Sequence, residues 1–301
     1  MTKNARRKSN YQSISLLLTG ILVSAPIQAF QLTDSAELIL NASWYQYDYE
    51  ISSQNRTEHI PVSGTQTTIG IALPDWTITW TPSAASGNKN IIIANGLAQA
   101  DYRYDANALS ITRYFYPWYI RAGYSQSESD LEIRSAIGRI ASEKTQKGSD
   151  WSIEGGKNWQ IGQWNTNTYA GLIHSGLTID QTRIIENGQI QEQEEIDENY
   201  LATGVSASYY WETSGLTPGI GLDYQRRLSS NSHSQTSLFG QRGRPIGRAT
   251  GTSQSSGLVN WSAAYVTLDY EFSHLGLSLY YQYELNEPHQ GYTNIAFYLL
   301  F

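Results

Sequence analysis

The feature that most constrains the fold of this chain is an alternation of apolar and polar residues with a period of two. Between Leu275 and Leu285 every second residue is leucine or tyrosine, and glycine, serine, tyrosine, glutamine and glutamate stand between them. Successive side chains of a β-strand point to opposite faces, so the pattern predicts a strand with one apolar and one polar face. Because it recurs along the chain, we expect an all-β protein.

We delimit about twelve segments of this kind, within a range of roughly 10–14. They cover residues 36–51, 64–73, 75–82, 94–115, 118–128, 149–161, 164–182, 198–212, 217–230, 257–272, 275–286 and 291–301. Most reach the roughly 9–11 residues that a tilted strand needs to cross a bilayer. The apolar face of the first segment changes at residues 43–45, which predicts a β-bulge there.

The connections between these segments are of two alternating kinds. Short links lie near Pro74-Asp75, Tyr116-Pro117, Gly162-Gln163, residues 213–216 and Ser273-His274, whereas long polar links occupy residues 52–63, 83–93, 129–148, 183–197, 231–256 and 287–290. Aromatic residues flank the short links, among them Trp76, Trp118, Trp164 and Trp211. Tight turns at one end, longer loops at the other and an aromatic girdle are typical of membrane barrels. We therefore predict an antiparallel, up-and-down transmembrane β-barrel.

Composition excludes several other classes of protein. The chain contains no cysteine, so it has neither disulfides nor thiolate metal ligands, and its net charge of −7 disfavours a nucleic-acid partner. Only 16% of the residues are charged, against roughly 25% in an average soluble domain. Residues 1–29 combine basic residues, an apolar stretch and a small-residue end, which predicts a secretory signal peptide. Residues 30–301 would then form a single barrel domain.

The C-terminus carries a resemblance to a known family. Ile295, Phe297, Leu299 and the terminal Phe301 alternate on one face. This resembles the C-terminal assembly signal of bacterial outer-membrane barrels, which commonly end in phenylalanine. The resemblance implies the outer membrane of a Gram-negative bacterium, recognition by the barrel assembly machinery, and contact with outer-membrane lipid and lipopolysaccharide. An even strand number would place both termini in the periplasm.

Two groups of outer-membrane barrels resemble the whole mature chain. One comprises narrow twelve-stranded, substrate-specific channels, and the other comprises solitary barrels akin to autotransporter translocator domains. In autotransporters a secreted passenger domain precedes the translocator domain in the same chain, whereas here only residues 30–35 of the mature chain precede the first predicted strand. We therefore expect no secreted passenger.

Polar residues on the inward faces are the candidate functional residues. They are Arg121, Glu154, His174, Asp223, Arg227, Asp269 and Glu284. They either line a water-filled passage or pair with one another across a closed lumen, and about twelve strands lie between the filled eight-stranded barrels and the open sixteen-stranded ones. The leading hypothesis is a passive channel for small hydrophilic solutes that selects by size and charge. The alternative is an autotransporter-like barrel with a structural, adhesive or surface-interaction role and no open pore.

The predicted loops suggest binding at most. Arg242, Arg244 and Arg248 in loop 231–256 could bind lipopolysaccharide phosphates or acidic sugars, or they could belong to a mobile polar loop. Asn187-Gly188 predicts a hairpin turn that extends two strands as a ribbon. The spacing of isoleucines in 129–148 predicts a short helix at the mouth of the barrel.

An enzyme is not expected. His174 is next to Ser175, but adjacent residues of a strand face opposite sides, so the histidine cannot act as base for the serine. The five scattered histidines form no metal-binding pattern, and no cofactor is predicted. A lipid-modifying barrel enzyme remains the third hypothesis.

Overall fold

The computed structural model describes residues 29–33, 36–53, 56–93, 96–240, 245–255, 260–272, 275–286 and 291–299. These residues form strands β1 (Ala29–Thr33), β2 (Ala36–Ser53), β3 (Arg56–Leu73), β4 (Trp76–Ile93), β5 (Gly96–Phe115), β6 (Trp118–Ser135), β7 (Ile140–Ile161), β8 (Trp164–Ile185), β9 (Gly188–Tyr209), β10 (Leu216–Gly240), β11 (Pro245–Ser255), β12 (Asn260–Phe272), β13 (Leu275–Glu284) and β14 (Gly291–Leu299). No helix in the described ranges is long and apolar enough to span a bilayer. The predicted signal peptide lies almost wholly outside the described residues and stays a prediction.

The strands close into a ring. Consecutive strands from β2 to β10 pair antiparallel with one another. The ring then continues from β10 to β12, β13 and β14, and β14 pairs with β2. This ring contains 12 strands, which confirms the predicted barrel and its strand number. Two further strands lie outside the ring order: β1 pairs with β2, and β11 pairs with the far half of β10. The sequence analysis predicted neither of them.

The alternation places apolar side chains on the outside of the ring and smaller polar side chains inside. On β4, Trp76, Ile78 and Trp80 are exposed on the outer surface, whereas Thr77 and Thr79 between them are buried. A hydrocarbon environment favours this arrangement, because it solvates the outer apolar side chains and leaves polar ones to the interior.

No bulge occurs at residues 43–45, so that prediction is wrong. The pairing of β2 with β3 runs in unbroken register from Glu37 to Ser53. The apparent change of face arises because Tyr45 and Tyr47 are inward-facing and buried, in line with Ile39. Tyr45 and Tyr47 therefore pack in the lumen while Trp44 faces outward, and the strand shows no shift in register.

The two ends of the barrel differ in strand length. One end, which we call the short-turn end, carries the tight turns that the sequence predicted, such as residues 74–75 and 162–163. At the other end most of the predicted long loops are extended strands: β7, β8 and β9 have 22 residues each and β10 has 25, against 9 in β14. The predicted loops lack apolar alternation because outward side chains of these extensions are charged, as at Glu128 and Asp180.

Two local predictions about the long-strand end have opposite outcomes. The hairpin at Asn187-Gly188 is confirmed, since β8 and β9 pair up to Ile185 and Gly188. The helix in 129–148 is wrong, because β6 runs to Ser135 and β7 starts at Ile140 after a short turn. Ile133 faces inward and packs on the core cluster, so the isoleucine spacing reflects strand packing on either side of a turn.

Cross-strand pairs of glycine and tyrosine are the recurrent packing unit of the lumen. Five inward-facing glycines lie directly opposite a tyrosine whose ring covers them, namely Gly64 with Tyr45, Gly156 with Tyr119, Gly204 with Tyr169, Gly221 with Tyr265 and Gly276 with Tyr298. A methyl group added at any of these glycines would overlap the facing tyrosine ring. The rings therefore lie across bare backbone of the adjacent strand, a form of packing known as aromatic rescue.

This packing predicts different effects for two adjacent glycines of β7. Gly156→Ala should lower the free energy of unfolding by about 1–3 kcal/mol, because the new methyl group displaces the Tyr119 ring. Gly155→Ala should change it by less than about 1 kcal/mol, because only the Tyr119 carbonyl oxygen lies near its outward Cβ position, at 3.9 Å. Urea unfolding of the refolded barrel, followed by tryptophan fluorescence, measures both. Equal effects would contradict the packing.

Candidate functional site

The candidate site is the interior of the barrel, where the predicted pore-lining residues were expected to meet. At the short-turn end the interior is lined by small hydroxyl side chains, including buried Thr77, Thr79, Ser110 and Thr112. Arg121 donates from Nε to Thr112 Oγ1 at 3.2 Å, and its Nη1 lies 3.1 Å from Glu154 Oε1. These two predicted residues are therefore inward-facing and are paired with each other on neighbouring strands.

A second group of predicted residues lies further along the lumen. The Tyr169 hydroxyl donates to Asp223 Oδ1 at 2.8 Å, and Arg227 donates from Nη1 to Glu198 Oε1 at 2.8 Å. Glu198 also accepts a hydrogen bond from Tyr200. The sequence analysis did not name Glu198, although it begins the predicted segment 198–212, because it ends the acidic run of residues 192–198.

The remaining predicted carboxylates also face inward. Asp269 is buried on β12, opposite Ser278 of β13. Glu284 is half-buried at the end of β13, opposite Ala263. The prediction that Arg121, Glu154, Asp223, Arg227, Asp269 and Glu284 share the inner face therefore agrees with their positions.

His174 was predicted to line the pore, and that prediction is wrong. Ile173 and Ser175 on either side of it are buried in the interior, so His174 points outward. Its ring stacks on outward-facing Trp151, with 5.4 Å between ring centroids, and its Nδ1 lies 3.1 Å from Asn199 Oδ1. The error arose because the polarity of the side chain was taken to give its direction, whereas strand parity determines it.

Tyrosines occupy the middle of the lumen. Tyr102 on β5 is 1% exposed. Its ring stacks on that of Tyr49 with 4.2 Å between the ring centroids, and its hydroxyl oxygen lies 3.5 Å from that of Tyr47. Tyr49 on β2 donates to Gln146 Oε1 on β7 at 3.4 Å. Since β2 and β7 stand five steps apart in a ring of 12, this bond joins strands that are nearly opposite each other in the ring order.

Aliphatic side chains pack beyond the tyrosines, towards the long-strand end. Ile60 and Val62 of β3 are fully buried, with Ile91, Ala100 and Leu131 beside them in one cluster. Buried side chains leave no room for water around them. On the side formed by β2 to β6, these side chains pack together between the hydroxyl-lined part of the lumen and the long-strand end.

Towards the long-strand end, the inner face of the extended parts of β7 to β9 carries paired charges. Arg183 Nη2 lies 2.6 Å from Glu192 Oε1, and burial lowers the pKa of Lys144, an effect that nearby Glu194 opposes. Three carboxylates of the acidic run, Glu192, Glu194 and Glu198, thus face inward. Within the described residues no three His, Asp or Glu side chains are grouped to hold a metal ion.

The predicted loop and assembly residues have different outcomes. Arg248 is exposed on β11 and donates to Gln235, so it belongs to a strand and not to a loop. Arg242, Arg244 and Phe301 lie outside the described residues. Phe297 is 61% exposed on the outer face of β14, and Leu299 ends that strand. Their predicted role in assembly stays a prediction.

Comparison with solved structures identifies the architecture. The translocator domain of autotransporter NalP from Neisseria meningitidis is 12% identical to the chain with a TM-score of 0.58, and the match covers 90% of each chain. The β domain of the Bordetella autotransporter BrkA matches at 12% identity and a TM-score of 0.52, over 89% of this chain and all of that one. The transport unit of the autotransporter AIDA-I from Escherichia coli matches at 10% identity and a TM-score of 0.51, over 95% and 96%.

These likenesses define a class of fold. The chain is a closed antiparallel barrel of 12 strands with the architecture of outer-membrane β-barrels. No protein-family model and no curated protein matches the sequence.

Substitutions at the Arg121–Glu154 pair test whether water solvates this part of the lumen. Glu154→Leu should lower the free energy of unfolding by about 2–4 kcal/mol, because it leaves the Arg121 charge in a poorly solvated interior. The double variant Arg121→Met/Glu154→Leu should recover at least half of the loss, since no charge then remains. Equilibrium unfolding in urea measures both variants. A neutral single variant would indicate that water solvates this part of the lumen.

Proposed function

We propose that this protein is an outer-membrane barrel with a closed lumen that acts through its surface outside the membrane. The observation that carries the proposal is the layer of buried tyrosines across the barrel, with Tyr49 joined to Gln146 on the far side. An open passage requires water along the axis, whereas these side chains occupy that space. The proposal therefore favours the structural or surface-interaction hypothesis over the passive channel.

The outer surface supports the placement in a membrane. Near the short-turn end the outward side chains are apolar or aromatic, such as Trp118, Ile120 and Leu172. Further along the same strands they become charged, at Asp105, Glu128, Lys147, Asp180 and Asp197, all of which are exposed. An apolar band followed by charged extensions matches a barrel that crosses the membrane and projects beyond it. Both termini would then lie on the periplasmic side, at the short-turn end.

The extensions beyond the apolar band form what we call the wall: the described residues in 96–107, 126–149, 176–198 and 229–255. Large apolar side chains are exposed at its hairpin tips, with Leu97 at 64%, Ile137 at 75% and Ile246 at 65%. Leu97 and Ile137 lie close together with exposed Ile92, and a group of exposed aliphatic residues far from the membrane favours contact with another macromolecule. Catalysis forms no part of the proposal, because His174 faces away from Ser175.

A channel is the second candidate, and one observation favours it. The hydroxyl-lined part of the lumen carries Arg121 and Glu154 side chains that are 18% and 15% exposed, a polar lining of the kind that conducts small solutes. A displacement of the tyrosine layer would connect this part to the outside.

Current across a planar bilayer tests the proposal. The refolded wild-type protein should give no stepwise conductance, because the tyrosine layer is closed. The variant Tyr47→Ala/Tyr102→Ala/Tyr104→Ala should conduct, since it removes three side chains from the middle of the lumen. A matched variant of outward tyrosines, Tyr224→Ala/Tyr281→Ala, should stay silent. Ion-selective steps from the wild type, with heat-modifiable mobility confirming its fold, would favour the channel instead.

A further inference from the structure

We propose that the free edge of β11 binds an extended segment of another polypeptide as an additional β-strand with large apolar or aromatic side chains on its inner face. The inference rests on the proposed function, because it requires the wall to stand outside the membrane, and it names the kind of partner that the wall would bind.

The edge exists because the strands beyond β11 are short. Within the described residues, β11 pairs with β10 along residues 245–255 and with no other strand. The next strand of the ring, β13, pairs with β12 only as far as Glu284, opposite Ala263. Asn286 Oδ1 then accepts hydrogen bonds from the backbone nitrogen and the hydroxyl of Ser262, at 2.6 and 2.7 Å, and marks the end of that pairing.

The backbone of β11 is available for pairing. In an antiparallel pair, alternate residues direct their N–H and C=O groups towards the neighbour, and the others direct them away from it. β11 begins with Pro245, beside a register shift in its pairing with β10, but residues 246–252 are all exposed and contain a single charge, Arg248, and no proline. Natural edge strands are usually shielded by charges, prolines or bulges, so an exposed edge with so little of this protection is suited to strand addition.

The side chains of β11 specify the partner. Register with β10 places Gly247, Ala249 and Gly251 on the inner face, opposite Leu238, Thr236 and Ser234. Among the described residues, no atom lies within 4 Å of a Cβ atom placed at Gly247, so they leave the inner side of this edge open. Elsewhere in the barrel, inward glycines such as Gly221 are covered by a tyrosine of the adjacent strand. A partner strand with tyrosine or another large side chain at every second position would cover Gly247 and Gly251 in the same way.

The outer face adds a charge preference. Arg248, Thr250 and Thr252 point outward from β11 and are exposed. Opposite charges and threonine pairs directly across a sheet stabilise it, so the partner strand should carry threonine and a carboxylate on its outer face.

A second copy of this chain fits the edge poorly. Antiparallel pairing of β11 with itself has a two-fold axis perpendicular to the sheet, which would invert one copy relative to the membrane. Centred on Ala249, it would also place Gly247 opposite Gly251 and leave the inner face empty. Other edges without a recorded partner strand in the described residues include those of β1, of β2 beyond Tyr47 and of β3 before Ser63, and all of them are shorter than β11. The occupant is therefore a segment of a different polypeptide.

Binding of synthetic peptides to the full-length refolded barrel tests the proposal. The probe is a fluorescein-labelled peptide of roughly nine residues, with tyrosine at alternate positions and threonine or glutamate between them. The control peptide has the same composition with its tyrosines grouped together. Fluorescence anisotropy should show saturable binding of the alternating peptide, and binding of the grouped peptide should be at least about tenfold weaker, because only alternation puts all the tyrosines on one face.

Two variants locate the binding. Ala249→Lys places a charge on the inner face of the edge and should weaken binding by at least about tenfold. Thr236→Lys is the matched control, since Thr236 lies opposite Ala249 on the same face but one strand in from the edge, and it should bind as the wild type does. Heat-modifiable mobility verifies that both variants are folded.

Several results would overturn the inference. They are equal binding of the two peptides, no binding by the wild type, and unchanged binding by Ala249→Lys. Association of the protein with itself that Ala249→Lys abolishes, without peptide binding, would assign the edge to a second copy. None of these results affects the conductance measurement, so failure of this inference is distinct from failure of the closed-lumen proposal.

Discussion

The closed ladder of backbone hydrogen bonds is the constraint on which the rest of this structure depends. A bilayer offers no water to satisfy an unpaired N–H or C=O group, so a membrane sheet must close on itself. Here the closure is made by β14 and β2, which pair from Tyr292 with Tyr47 to Tyr298 with Asn41. Closure gives each strand an inner and an outer face, and side chains alternate between them except where the register shifts, as between Arg227 and Ser229 of β10.

The packing of the lumen depends on which side chains point inward. A ring of 12 strands is too wide to be filled by small side chains alone, and tyrosine offers length, an apolar ring and a hydroxyl group that can form hydrogen bonds. Glycines on the neighbouring strands give the rings a place to lie, as Gly204 does for Tyr169, whose hydroxyl then reaches Asp223. The same pairing packs neighbouring strands of the barrel against each other and fills its interior. Above the apolar band this packing is incomplete, because no described strand covers Gly247 and Gly251 on β11.

Much of the fold could be predicted from the sequence, because period-two alternation determines strands and faces directly. The strand starts at the short-turn end, the inward positions of Arg121 and Asp223, and the turn at Asn187-Gly188 all followed from local pattern. The extensions did not, because in the wall both faces meet water or polar neighbours, and a polar strand such as the second half of β10 resembles a loop. Whether the lumen is open could not be predicted either. It depends on which tyrosines point inward and how far they reach across the barrel, and the bond between Tyr49 and Gln146 joins residues 97 positions apart.

The central claim is that water does not reach the middle of the barrel, and the absence of cysteine from the chain allows a direct measurement. Ala106→Cys places a thiol in the buried tyrosine cluster, and Ala249→Cys places one on exposed β11. A small charged thiol reagent is added to each folded variant in detergent, where both ends of the barrel are accessible. The account predicts rapid labelling at position 249, and labelling at position 106 only after unfolding in urea. Equal rates of labelling at the two positions in the folded protein would contradict it.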